Sequence, residues 1–286
     1  MTINLVLFMV GLLMLYYGAE WLVRGSSSLA GSLGMQPIVI GLTVVAFGTS
    51  APELVVSLVS SIKGKSMIAV GNIIGSNICN IALVLGMTAL FQPIKCHPSV
   101  FKRDIPIMLG ITIYLLIVSG NSFISRLEGV SLVAMIMVYI YYNYRVATRT
   151  SSKKTMPMPC DVVEIRPVDN RYRQVVLILA GIAGVVIGAE VLVDSAVKIM
   201  TVFGVNEKFI GLTIVAFGTS LPELATSVIA ALKKEMDISL GNLVGSNVFN
   251  ILAVLGAAAL VNPITVPGGF MASGLFIDYM VMTVVS

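Results

Sequence analysis

Advancing the numbering by 170 lays GLTVVAFGTSAPEL (41–54) onto GLTIVAFGTSLPEL (211–224), and GNIIGSNICNI (71–81) onto GNLVGSNVFNI (241–251). Over 41–86 against 211–256, 25 of 46 positions are identical without a gap. The same offset pairs Gly18-Ala19-Glu20 with Gly188-Ala189-Glu190 and Pro93-Ile94 with Pro263-Ile264. The chain is therefore a duplication, and its fold must hold two copies of one unit. Composition decides the medium in which those copies sit. Hydrophobic residues make up 57% of the chain and charged residues 11%, with a mean hydropathy of +0.98. Soluble domains are roughly half apolar and about a quarter charged. This balance excludes a soluble enzyme, a nucleic-acid binder and a disordered regulator, and leaves a polytopic membrane protein.

A helix crosses the bilayer with about 20 apolar residues. That rule predicts spans near 3–23, 36–61, 67–91, 104–120 and 126–144, then near 174–196, 208–232 and 238–261, with another beginning near 271. Residues 145–173 between the two sets are polar, carry Pro157, Pro159 and Pro167, and read as a linker. The expected organisation is a first repeat over 1–144, a cytoplasmic linker over 145–173 and a second repeat over 174–286. Five spans per copy is an odd number, so the second copy enters the membrane upside down, which is a transporter signature. The offset also places counterparts of the fourth and fifth spans near 274–290 and 296–314, so a tenth helix and about 30 residues are expected beyond Ser286.

Lys and Arg set the orientation. With the linker in the cytoplasm, 13 basic residues fall inside, among them Arg24, Lys102, Arg103, Lys233 and Lys234, and five fall outside. The N-terminus then faces out. It has no basic leader and reads as a retained first span. Cys79, Cys96 and Cys160 share no metal-ligand spacing and read as reduced thiols; His97, the only histidine, reads as a surface residue. Tyr139, Tyr141, Tyr142 and Tyr144 read as an interfacial belt, and Glu20 with Arg24 as an i, i+4 pair at a helix end. The linker has no room or acidic clusters for a folded calcium sensor.

Chemistry resides in the polar residues at membrane depth. Glu53 and Glu223 fall mid-span, as do Asn80 and Asn250. A carboxylate there costs roughly 3 kcal/mol or more, and a symmetric pair of them is a site by default. Pro52 and Pro222 break their helices, and the breaks are expected to free carbonyls around Ala46 and Thr49, and around Ala216 and Thr219. Ser76 and Ser246 share a helix face with Asn80 and Asn250. Carboxylates, carbonyls, hydroxyls and amide oxygens form a hard-cation site suited to Ca²⁺. Asn72, Asn77, Asn242 and Asn247 read equally as ligands or as interhelical hydrogen bonders, while Gly71, Gly75, Gly241 and Gly245 suit close helix packing.

GTSxPE followed by GNxxGSNxxN, twice over, resembles the sodium/calcium exchanger branch of the calcium/cation antiporters, specifically its prokaryotic members. The resemblance implies an all-α fold of ten helices in two inverted five-helix repeats, alternating access, and four central sites shared by Na⁺ and Ca²⁺. It implies Glu53 and Glu223 as main Ca²⁺ ligands with carbonyls of Thr49 and Thr219. Ala46, Ser50, Ser76 and Glu223 would line one Na⁺ site, Ala216, Ser220, Ser246 and Glu53 its mirror image, and Asn80 and Asn250 the middle. The first and sixth spans would be the sliding gate. One departure stands out: familiar members often carry Asp at position 250, and this chain has Asn. Two negative charges balance one Ca²⁺ or two Na⁺, and a desolvated excess charge is costly. The expected function is Na⁺-for-Ca²⁺ antiport by a monomer in the plasma membrane, without organic cofactor or nucleic acid. The alternative is proton/calcium exchange on the same fold.

Overall fold

The computed structural model describes residues 2–94, 100–151, 170–203, 216–266 and 275–285. It opens with helix α1 (Thr2–Leu33). Helices α2 (Pro37–Thr49) and α3 (Ala51–Ile62) follow as one span bent by 46°, and α4 covers Met67–Phe91. Helix α5 (Ile105–Ser119) is entered through a wide π turn, Val100–Asp104, and α6 covers Arg126–Ser151. The second half repeats the order: α7 (Arg171–Val202), a single turn α8 (Ala216–Gly218), α9 (Leu221–Leu232), α10 (Met236–Val261) and α11 (Leu275–Val285). Among the described residues, α1, α4, α6, α7 and α10 are long and apolar enough to cross a membrane, and α2 with α3 makes a sixth, broken span.

Two helices outrun their apolar stretches. The first and sixth spans were expected to end near 23 and 196, yet α1 and α7 each run for 32 residues. Ser26 and Ala30 near the end of α1 are wholly buried, so packing continues the helix after hydropathy has fallen. Residues 208–215 and 271–274 of the expected spans, most of the linker, His97, Cys96 and Cys160 lie outside the described residues.

α1 and α7 meet along a glycine seam. Gly11 lies against Leu192 and Gly188, Gly18 against Gly184 and Val185, and Gly25 against Gln174 and Ile178. One number rises as the other falls, so the two helices are antiparallel. Equivalent helices of the two copies thus run in opposite directions, which is what an inverted duplication requires. A Cβ on Gly18 would stand 2.7 Å from the Gly184 carbonyl carbon; only glycine permits this backbone-to-backbone approach.

The turn between α9 and α10 also holds α1. Lys233 Nζ donates to Glu20 Oε1 at 2.7 Å, and Ser27 Oγ donates to Glu235 Oε1 at 2.7 Å. Glu20 therefore pairs across the fold and not with Arg24, because the turn presents a cation where the helix's own i+4 neighbour points elsewhere. Burial pushes the Glu235 carboxyl above the usual carboxylate range, and the Ser27 hydroxyl partly offsets it. The offset-170 counterparts of the Glu20–Lys233 pair, Glu190 and Lys63, are both exposed and form no ion pair with each other among the described residues.

The core runs through α10, where Met236 and every residue from Ile238 to Phe249 are buried, with α2 and α4 against it. Large apolar side chains such as Leu90, Ile117, Leu127 and Ile277 point outward, as a lipid-facing surface demands. Tyr139 departs from the expected aromatic belt. It is 5% exposed, whereas Tyr141, Tyr142 and Tyr144 are exposed, so only those three are placed to form the belt. A two-residue bridge that hydropathy cannot foresee, β1 (Phe123–Ile124) with β2 (Ile264–Thr265), pairs antiparallel across the repeats. Ser61 adds a second tie: its Oγ donates to Ala258 O at 2.7 Å, and Asn262 Nδ2 donates to Ser61 O at 2.9 Å. Ser61→Ala is expected to cost about 1 kcal/mol, the net worth of one buried hydrogen bond, read as lost thermal stability of the detergent-solubilised protein.

Candidate functional site

Each repeat breaks a helix at the same place and in the same way. Pro52 and Pro222 sit in the first positions of α3 and α9, where their missing N–H costs nothing. The residues before the new helices adopt matching backbone angles: φ −81° and ψ 7° at Ser50, φ −87° and ψ 2° at Ser220. Glu53 and Glu223 then fall in the first turn of α3 and α9. A helix start carries about half a positive charge, which favours a carboxylate there. Both glutamates are 0% exposed.

The expected freeing of carbonyls is corrected in part. Ala46 O keeps a backbone partner, Ser50 N at 3.0 Å, and also accepts from Thr49 Oγ1 at 3.3 Å. Ser50 N is its ordinary helical partner four residues on, so the helix runs regularly up to the break and the Ala46 carbonyl stays satisfied. Ser50 O is taken by Leu54 N at 3.1 Å, and the Thr49 carbonyl between them receives none of the backbone bonds that bracket the break. In the second repeat Ser220 N turns to Phe217 O at 3.1 Å and Leu224 N to Ser220 O at 3.0 Å. Ala216 starts the single-turn helix before that break.

Side chains from both copies converge on the glutamates. Ser50 Oγ donates to Glu223 Oε1 at 3.1 Å, and Ser76 Oγ donates to Glu53 Oε1 at 3.3 Å. Thr49 Oγ1 lies 3.3 Å from Ser246 Oγ and donates to Asn242 Oδ1 at 2.9 Å. Thr49, Ser50, Ser76, Ser220, Ser246, Asn80 and Asn250 are all buried, and Thr219 is half-buried. These bonds bring Ser50 and Ser76 onto the two glutamates, with Thr49 and Ser246 in contact with each other across the repeats.

Several buried oxygens have no hydrogen-bond partner among the described residues: Glu53 Oε2, Glu223 Oε2, Asn80 Oδ1, Asn250 Oδ1, Thr219 Oγ1 and Ser220 Oγ. Buried polar atoms are normally paired, and an orphan costs about 1–3 kcal/mol. Every orphan here is an oxygen, and they come from both repeats. Buried carboxylate, amide and hydroxyl oxygens together have the chemistry of a hard-cation site. No group of three or more His, Cys, Asp or Glu suited to a softer metal occurs among the described residues.

Two features lay beyond sequence reasoning. Asn80 and Asn250 each begin a π-helical turn, Asn80–Leu85 and Asn250–Leu255, a widening often found at functional sites. Asn72 and Asn242, which the sequence left between two roles, act on the glutamates from behind. Asn72 Nδ2 donates to Glu53 O at 3.3 Å and Ser57 Oγ at 3.0 Å, and Asn242 Nδ2 to Glu223 O at 3.5 Å and Ser227 Oγ at 3.0 Å. Their identical spacing to Glu53 and Glu223 in the two GNxxGSN segments was the available signal.

Comparisons with known proteins agree with this geometry. The family described as "Sodium/calcium exchanger protein" matches residues 3–145 and 173–286. The chain is 38% identical over 268 residues to the putative antiporter CaxA of Alkalimonas amylolytica, covering 92% of this chain and 82% of that one. It is 31% identical over 297 residues to the sodium/calcium exchanger MaX1 of Methanosarcina acetivorans, covering 93% and 85%. Its fold superposes on a solved structure of the sodium-calcium exchanger NCX_Mj with a TM-score of 0.83 and 33% identity, over 99% of this chain and 87% of the other. That is a family of transporters, not of enzymes. The duplicated helix breaks, the inverted packing and these matches agree: the chain is a multi-pass membrane protein that belongs to the sodium/calcium exchanger family.

Proposed function

We propose that the protein exchanges Na⁺ for Ca²⁺ across the membrane by alternating access, with ions held between Glu53 and Glu223. The observation that carries this reading is the pair of wholly buried carboxylates from opposite repeats, each with one oxygen unpaired among the described residues. Thr49 and Thr219 offer backbone carbonyls; Ala46, Ser50, Ser76, Ala216, Ser220 and Ser246 line the flanks; Asn80 and Asn250 close the middle. Na⁺ and Ca²⁺ both take oxygen ligands, so occupancy by one set excludes the other and couples their flows. With two carboxylates the site neutralises one Ca²⁺ or two Na⁺, and a third Na⁺ would carry uncompensated charge into a dry site. We place the N-terminus outside and the segment 145–173 in the cytoplasm of a prokaryotic cell, between the repeats 1–144 and 174–286, with a single chain as the transporting unit.

The test is uptake of radioactive Ca²⁺ into proteoliposomes preloaded with Na⁺ at equal pH on both sides. Uptake that requires internal Na⁺ is the expected result. Uptake from acid-loaded vesicles that ignores Na⁺ would instead assign proton coupling to the glutamates, since neither asparagine can take a proton. Counterflow separates both from a channel: a carrier preloaded with unlabelled Ca²⁺ accumulates tracer transiently, and a pore does not.

A further inference from the structure

Asn77 and Asn247 stand outside the proposed ligand set, yet each is 1% exposed at the centre of the fold. Asn80 Nδ2 donates to Asn247 Oδ1 at 3.1 Å, and Asn250 Nδ2 donates to Asn77 Oδ1 at 3.0 Å. Both bonds cross from one repeat to the other. The acceptors are themselves tied down: Asn77 Nδ2 donates to Asn247 O at 3.3 Å, and Asn247 Nδ2 points to Met108 Sδ at 3.7 Å.

A primary amide has a donor end and an acceptor end, and committing one end aims the other. With their NH₂ groups held by Asn247 and Asn77, Asn80 and Asn250 turn their Oδ1 atoms away from the brace, and both of those oxygens are buried without a partner among the described residues. The opposite rotamer would set two acceptor oxygens about 3 Å apart at each brace bond. It would also bring an NH₂, the positive end of the dipole, to face a cation. Flipping Asn77 would give up its bond to Asn247 O, and flipping Asn247 its contact with Met108 Sδ.

We infer that Asn77 and Asn247 are positioning residues that fix which end of the Asn80 and Asn250 amides faces the bound ion, and so hold the middle of the site selective for cations. The inference rests on the cation-site reading above. It makes selectivity depend on a contact between repeats: each half supplies the acceptor that aims the other half's ligand.

The test is a double-mutant cycle, with Ca²⁺ affinity read from Ca²⁺-dependent thermal stabilisation of the purified protein. Asn77→Leu is expected to weaken Ca²⁺ binding about tenfold in the native background and to have no further effect on affinity in Asn250→Ala, where no amide is left to aim. Asn77→Ser, which keeps an acceptor oxygen, is expected to restore part of the loss. Melting without Ca²⁺ reports any folding cost separately, and Asn247→Leu with Asn80→Ala gives the mirror-image cycle if one variant fails to fold. Equal loss of affinity in both backgrounds, or no loss in the first, overturns the positioning role while leaving the site intact. A native protein that Ca²⁺ does not stabilise overturns this inference together with the reading beneath it.

Discussion

Glu223→Gln is expected to reduce Na⁺-driven Ca²⁺ flux by at least about 100-fold while leaving the ion-free protein as stable as before, or more so. Glutamine preserves the volume of a side chain that is 0% exposed and can still accept from Ser50 Oγ, which stands 3.1 Å from Glu223 Oε1. What it removes is charge, and its amide nitrogen puts a donor into a site made of oxygens. A Ca²⁺ between Glu53 and a neutral partner would retain one uncompensated charge away from water. Breaking a buried charge pair on one side costs about 3–5 kcal/mol, and each 1.4 kcal/mol is roughly tenfold in affinity, which places the loss near two to three orders of magnitude. Without ions the sign reverses, since two buried carboxylates repel and one has been removed. Tracer uptake and ion-free melting of the same variant therefore move in different directions. A merely destabilised protein would lose both, and flux at the native rate would remove Glu223 from the site.

The second large effect is steric. Gly181→Val is expected to destabilise the folded protein by about 1–3 kcal/mol or more, the usual range for inserting atoms into a filled contact. A Cβ at that position would stand 2.5 Å from Leu22 N and 2.7 Å from Leu22 Cα. Those are backbone atoms of α1, so no side chain can swing aside and the helices themselves must separate. Gly110→Ala is the matched control: it is also helical, and a Cβ there meets nothing within 4 Å. Thermal unfolding in detergent should show the first variant well below the native protein and the second unchanged. Equal melting of the two would mean that the α1–α7 seam opens freely and contributes little to holding the repeats together.

How much of this was legible in the chain follows from what each signal measures. Glu53, Glu223, Asn80 and Asn250 stood out because polar groups are expensive at membrane depth and because the repeat displayed each twice. The helix breaks were legible through Pro52 and Pro222. What escaped were facts about partners far away in sequence. Hydropathy ended α1 near residue 23, since it cannot register that Ser26 is covered by another part of the fold. Glu20 was matched with Arg24 because spacing sees only neighbours, and Lys233 lies 213 residues on. Tyr139 was grouped with tyrosines of similar number, although the fold buries it. The Ala46 carbonyl was expected to be free because a proline removes one N–H; that N–H would have served the carbonyl of Gly48, and Ala46 keeps its ordinary partner, Ser50 N. The asparagines at 77 and 247 were visible, but their donor and acceptor assignments depend on the opposite repeat.

The tie between Glu20 and Lys233 bears on which way the molecule rests. A transporter made of two identical halves would populate its two facing states equally, because each state would be the other with the halves exchanged. The same residue pair recurs in the other copy. A bridge closed at 2.7 Å between Glu20 and Lys233, both about 30% exposed, while Glu190 and Lys63 stay apart shows the two halves in different poses. With the halves exchanged, the second pair would close and the first would open. An ion pair this accessible contributes up to about 1 kcal/mol. On the alternating-access reading, that contribution passes from one pair to the other and cancels between the two facing states, so an idle preference must come from positions where the copies differ. The duplication supplied one latch for each pose, each released as the other catches.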